Sequence, residues 1–356
     1  MRTIGSDLLT AQRLAARRPY ILLEFVSYDD ATTYTYSSDL GRIKLIDHTE
    51  SPFGQDDAGN LYGDKATIIL ANEDRTIPDM QGYRVSIGYG DILADDSNLS
   101  SQTPTLWVKH QQTVSAQGKL YEVIELEGMW LWLHEQLLRL GDPPLYQYDG
   151  FTDGVKTVYE IIQYIISQYP GWSLLPLAAS DGIIDVYKPV FYVNQSPFES
   201  AAIILSALIN MTKCYIRLKG WRILEIVYPL STDTPDVTYD WENGPDYWYQ
   251  YMDRRNVVIP NQLLVFANNT KDGPGGGWNP DTMITGVLAN DADSQAQYGV
   301  VTEVNLAPYI TTQTDADNYA SALLSQAQAS NIKGKLILPH DARIELYDYV
   351  EVVDSR

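Results

Sequence analysis

Residues 119–127, KLYEVIELE, and residues 42–47, RIKLID, decide the fold class. In the second stretch Arg42, Lys44 and Ile46 fall on one side of an extended chain and Ile43, Leu45 and Asp47 on the other, and Tyr121–Leu126 alternates in the same way. Successive side chains of a strand point to opposite faces, so a period of two predicts antiparallel sheet with one wetted face. Strand-like runs bounded by Gly, Pro, Asn and Asp clusters recur at Tyr20–Tyr28, Ala66–Ala71, Arg84–Tyr89 and Thr105–His110. Six such runs in one block predict a barrel or sandwich. The connections Asp47–Asp64 and Asp91–Pro104 read as long, acidic, exposed loops.

On either side of this block the period changes. Upstream, Ser6 is placed to cap a short helix carrying Leu8, Leu9 and Leu14 and stopped by Pro19. Downstream, Met129–Leu140 (MWLWLHEQLLRL) predicts a helix leaving the sheet, broken by Gly141-Asp142-Pro143-Pro144 at a domain boundary. Val155–Tyr169 then puts Val155, Val158, Tyr159, Ile162, Ile165, Ile166 and Tyr169 on one helical face, capped by Thr152 or Asp153. Ser196-Pro197-Phe198-Glu199 has the form of a capping box before a stripe of Phe198, Ala202, Leu205, Leu208 and Ile209. Cys214–Leu218 and Trp221–Val227 read as a hairpin, with Gly220 in the permissive turn position. From Pro229 strands return: Arg255–Ala267 around Pro260, Lys335–Pro339, Arg343–Leu346 and Tyr349–Val353. One helix interrupts them, capped at Thr314-Asp315-Ala316-Asp317, with Tyr319, Ala320, Leu323, Leu324 and Ala327 inward. The expected fold class is thus β-rich α+β: a helical segment over 1–19, a β domain of barrel or sandwich form over 20–142, an α+β block over 143–230, and a second sheet block with one helix over 231–356.

Composition narrows the function. The 356 residues are 45% hydrophobic, as in a globular protein, and carry 25 basic against 46 acidic side chains for a net charge of -21. That surface repels phosphate and argues against a nucleic-acid-gripping protein. A single cysteine, Cys214, excludes an internal disulfide and a thiolate-rich metal site, and reads as a buried thiol. Tyr (26) and Trp (8) outnumber Phe (6), which suits half-buried sheets and interfaces. Residues 1–20 do not read as a secretory signal, and the longest apolar run, near Ala201–Leu208, falls short of the ~20 residues that span a bilayer. Production in a reducing cytoplasm is the expectation.

Motifs for chemistry are missing. His48, His110, His134 and His340 are scattered and read as surface or structurally satisfied residues. No GxSxG elbow is present, and Cys214 has no nucleophile context. The loop Asp272–Gly277 lacks the Lys-Ser/Thr of a phosphate loop and reads as a connection. Asp56, Asp57 and Asp64, or Asp91, Asp95 and Asp96, offer carboxylates for calcium but lack the EF-hand spacing. The segment Trp241–Tyr251 (WENGPDYWYQY) can pack at an interface or stack on sugar. The expectation is therefore no enzyme, no catalytic, cofactor-binding or metal residue, and no cofactor.

The order at the C-terminal end resembles the tail-hub family, which includes baseplate hubs of phage tails, late control protein D and the front part of type VI spike proteins. The residues that carry it are Ile310–Leu324 (ITTQTDADNYASALL), Gly334–Pro339 (GKLILP) and Arg343–Val353 (RIELYDYVEVV). Tyr347 and Asp348 stand where the family commonly has Gly-Asp in a tight turn. Ala66–Asp74, Gly82–Gly90, Thr105–Val108 and Tyr121–Gly128 resemble its first barrel, and Arg254–Val258 the start of its second. The resemblance implies two barrels with an α+β insertion, a homotrimer forming a pseudo-sixfold ring, and a channel that passes DNA or tape-measure protein. It implies as partners a distal tail ring protein, a tape-measure protein and a tip or fibre protein, in the tail tip of a virion assembled in host cytoplasm. The alternatives are a carbohydrate-binding or glycan-cleaving tip protein, and a distal tail ring or neck adaptor.

Overall fold

The computed structural model describes residues 2–14, 16–55, 61–138, 150–151, 154–189, 191–192, 200–229, 233–240, 249–255, 260–267, 284–307, 310, 312–329 and 332–353. A short helix, α1 (Ser6–Gln12), precedes the first strands; its N-cap is Gly5, one residue ahead of the expected Ser6. The strands β1 (Pro19–Val26), β2 (Thr33–Ser37), β3 (Ile43–Thr49), β4 (Gly54–Gln55), β5 (Leu61–Tyr62), β6 (Lys65–Ala71), β7 (Arg84–Ile92), β8 (Asn98–Gln102), β9 (Leu106–Ala116) and β10 (Lys119–Glu127) follow. Eight of them form one antiparallel sheet in the order β2-β1-β7-β9-β10-β6-β3, with β8 against β7, while β4 and β5 pair with each other. Among the described residues no ladder joins β2 to β3, so the sheet is open there.

The alternation read from the sequence places its core, except in β3, where a register shift between Ile43 and Leu45 turns both Ile43 and Ile46 to the core and leaves Leu45 exposed. Leu23 pairs with Ile87 and Phe25 with Val85; Ile124 pairs with Ile68 and Leu126 with Ala66. These side chains all face one cluster and are fully or almost fully buried. Burial of each Leu, Ile or Phe contributes about 1.5–3 kcal/mol. Gln117 and Gly118, both at positive φ, make the two-residue turn between β9 and β10, as a type I′ hairpin requires. β8 corrects the expectation of a loop over Asp91–Pro104. Its sequence NLSSQ has no apolar alternation, and it is held by the backbone of β7. The closeness of that approach depends on Gly90, where a Cβ would lie 1.7 Å from the Leu99 carbonyl oxygen.

In the middle of the chain come α2 (Met129–Glu135), β11 (Gly150–Phe151), α3 (Val158–Ser167), β12 (Ser173–Leu174), β13 (Phe191–Tyr192), α4 (Ala201–Ile209), β14 (Tyr215–Gly220) and β15 (Ile223–Val227). α3 begins later than expected because Thr157 and Glu160 form a complete capping box there. Val155 consequently lies outside the helix and is exposed. The alternative caps Thr152 and Asp153, and the capping box at 196–199, lie outside the described residues. β14 and β15 are the expected hairpin, but its turn is Trp221-Arg222, and Arg222 rather than Gly220 takes positive φ. A stack over Arg222 compensates: its guanidinium lies 4.2 Å from the Trp221 ring centroid.

The last part contains β16 (Val237–Asp240), β17 (Gln250–Arg255), β18 (Gln262–Ala267), β19 (Ile284–Asn290), α5 (Ala292–Tyr298), β20 (Thr302–Ala307), α6 (Gln313–Ala329), β21 (Ile332–Ile337) and β22 (Val350–Val353). It is mixed rather than purely antiparallel, since β20 runs parallel to β18, and β22 parallel to β16. The antiparallel strand β19 is the return path between the parallel neighbours β18 and β20, and the helix α5, absent from the sequence reading, links β19 to β20 at one end of the sheet, where Asn290 and Thr302 both pair with Gln262. α6 is capped by Thr312, which accepts from the Asp315 amide at 3.2 Å, two residues before the expected Thr314. Ala316, Tyr319, Ala320 and Leu324 of α6 are buried. Arg343–Leu346 forms turns instead of a strand.

Candidate functional site

The side chains with the richest polar environment converge on those turns. Tyr347 takes positive φ, which explains why glycine suits the position, and its ring stacks on Tyr215 at 4.5 Å. Asp348 accepts from the Glu345 amide at 2.8 Å and from Arg217 Nη1 at 3.1 Å. Arg217 also donates to the Leu346 carbonyl and to Glu225 Oε2. Lys219 Nζ lies 2.9 Å from Glu345 Oε2. The hairpin β14–β15 is thereby tied to residues 345–348. Burial disfavours the Arg217 charge, but Glu225, Glu345 and Asp348 outweigh it and raise its pKa.

The N-terminal end reaches the same place. The Arg2 amide donates to the Arg343 carbonyl at 2.7 Å, and its Nη2 donates to Glu50 Oε1 at 2.7 Å. Arg17 grips Asp91 through Nε and Nη2 and donates from Nη1 to the His340 carbonyl at 3.0 Å. Arg343 grips Asp341, which also accepts from the Tyr239 hydroxyl at 2.9 Å. Paired and hydrogen-bonded in this way, buried charges hold segments in a fixed register.

Two of the four histidines meet here, which sequence spacing did not reveal. The Tyr89 ring lies 4.1 Å from His340 and 6.1 Å from His48, and its hydroxyl is 3.3 Å from His48 Nδ1. Burial, then the Arg2 charge, lowers both imidazoles to about 4. Burial pushes the Tyr89 hydroxyl up to about 12. His110 is exposed and His134 half-buried.

The described acidic candidates do not form one cluster. Asp64 lines a small cavity with Glu50, Arg217 and Glu345 and accepts from the Ser51 amide at 2.7 Å, with burial pushing its carboxyl up to about 7. Asp91 is committed to Arg17. Asp95 accepts from the Ser97 amide and hydroxyl, and Asp96, at positive φ, pairs with Arg18. Asp56, Asp57, the glycine loop 272–277 and 241–248 of the aromatic segment lie outside the described residues; Tyr249 and Tyr251 are exposed. Among the described residues no group of three or more His, Cys, Asp or Glu is placed to hold a metal ion. Cys214 is buried, and burial raises its pKa, which disfavours the nucleophilic thiolate.

Two further features face other surfaces. Trp107 of β9, Trp132 of α2 and Trp172 stack in a triangle at 5.1–6.0 Å between ring centroids, with Trp221 at 6.2 Å from Trp107. They lock the first sheet to the middle of the chain. On β20, the outer strand of the order β19-β18-β20, Val304 and Leu306 are more than half exposed. Tyr298 and Val300, just ahead of it, are exposed as well. An apolar strand edge of this kind favours pairing with another chain.

These features define a β-rich α+β chain whose densest polar cluster serves to join its own parts. The fold is shared with tail proteins. The tail protein from Neisseria meningitidis MC58 superposes at a TM-score of 0.58 with 10% identity, over 95% of this chain and 87% of that one. The 43 kDa tail protein of prophage MuSo2 from Shewanella oneidensis gives a TM-score of 0.55 with 12% identity, over 94% and 89%. No protein-family model and no curated sequence matches the chain. The likeness is carried by fold, and it meets the expectation drawn from the C-terminal strand–helix–strand order.

Proposed function

We propose that the chain is a structural virion protein of a phage tail: a tail-tip or baseplate hub subunit that joins the tail tube to the tip. The observation that carries this reading is the fold shared with the Neisseria tail protein over 95% of the chain. In this reading 20–142 and 231–356 act as two barrel-like halves, with 143–230 inserted between them. Three copies make a pseudo-sixfold ring contacting a distal tail ring protein, a tape-measure protein and a tip or fibre protein. Among the described residues no strand covers the outer edge of β20, which supports pairing across subunits, because an uncovered ladder invites another strand. The net charge of -21 supports a conduit that DNA passes without specific binding, since fixed negative charge repels phosphate. No catalytic, cofactor-binding or metal role is assigned to any residue.

Native mass measurement tests the proposal. A trimer, weakened by Val304→Lys and Leu306→Lys, is the expected result. A monodisperse monomer that cleaves cell-wall glycan contradicts it.

A further inference from the structure

The first sheet and the turns at 339–348 belong to different apolar clusters. Leu23, Phe25, Ile68 and Ile87 form one; Val237 and Tyr239 with Leu336, Leu338 and Ile344 form another. Between them lies the stack of His48, Tyr89 and His340, with the Arg2 and Arg17 bonds to backbone carbonyls at 340, 342 and 343. We infer that this stack is an acid-operated latch: neutral imidazoles hold 339–348 on the first sheet, and protonation releases it while both apolar clusters stay closed.

The argument is one of charge and geometry. His48 is faced by Arg2, His340 and Asp47 and touches the Tyr89 hydroxyl; His340 is faced by Arg2, Arg17 and Asp341. The acids nearby are engaged elsewhere: Glu50 by Arg2, Asp91 by Arg17 and Asp341 by Arg343. Asp47 is exposed, so water weakens its pull. A proton on either ring thus adds a cation beside two arginines. At the 3.3 Å contact between His48 Nδ1 and the Tyr89 hydroxyl, the protonated ring can only donate, so the hydroxyl must turn its own proton elsewhere. Because both rings titrate lower in the folded chain than the ordinary 6.5, the latch holds fully above that value and fails as pH falls towards about 4. Glu50, raised by burial, is neutralised over the same fall and deprives Arg2 of its pair.

Hydrogen exchange of the full chain, corrected for intrinsic rates, tests this at about pH 7.5 and about pH 5. Opening of 339–348 is expected to rise about tenfold or more at the lower pH, while strands 65–71 and 119–127 keep their protection. His48→Gln with His340→Phe should abolish most of the rise. Should that variant fold poorly, His340→Phe alone should reduce it, and imidazole titration of the unaltered protein provides a second readout. Unchanged protection at the lower pH, an undiminished rise in the variants, or imidazoles titrating at their ordinary value overturns the latch.

Discussion

Glu122 lies on the core face of β10 with its carboxylate fully engaged: Asn72 Nδ2, Gln111 Nε2 and Thr113 Oγ1 each donate at 3.0 Å. Asn72 Oδ1 accepts from the Ile77 amide, and Gln111 ties the Pro78 carbonyl and the Met80 amide. The loop after β6 therefore hangs on one buried acid. Glu122→Ala strands these donors and should cost about 2–4 kcal/mol in urea unfolding. Asp64 works in the opposite direction. Burial raises its folded pKa to about 7, so the stability it contributes is full below its unfolded value and is lost as pH rises through 7. Asp64→Asn keeps the acceptor for Ser51 and removes the charge. It should stabilise the protein above pH 7 by about 1–2 kcal/mol, less than the full shift because the side chain is only half-buried, and leave it nearly unchanged near pH 4.

At the scale of elements, legibility followed the source of each element's stability. β10 was predicted residue for residue, because its alternation records which face is buried. The apolar stripes reveal α3 and α6, but both starts lie elsewhere than expected, because Thr157 and Thr312 accept from the amide three residues on. Thr157→Ala should cost about 1 kcal/mol by thermal or urea unfolding. β8 was illegible: NLSSQ carries no pattern, and the information lies in the partner, where Gly88 and Gly90 clear the space. Gly90→Ala should drive β8 off the sheet, read as faster exchange and proteolysis over 96–103 with β6 and β10 still protected.

For the molecule as a whole, the class was legible and the joints were not. Strand blocks around a helical middle follow from periodicity, whereas the approach of His48 and His340 to Tyr89, or of Trp107 to Trp172 and Trp221, depends on tertiary folding that no local spacing encodes. The largest apolar cluster runs from Trp107 and α2 through α3, α4 and the β14–β15 hairpin into β18 and α6. The Arg2–Glu345–Arg217 network adds polar ties between the N-terminal end, the β14–β15 hairpin and the turns at 345–348. The most direct test of the structural tail assignment is electron microscopy of intact particles carrying a label on this chain. Label at the tail tip of the particles, in threefold arrangement, is the predicted result; particles without label, or label confined to the head or neck, would contradict it.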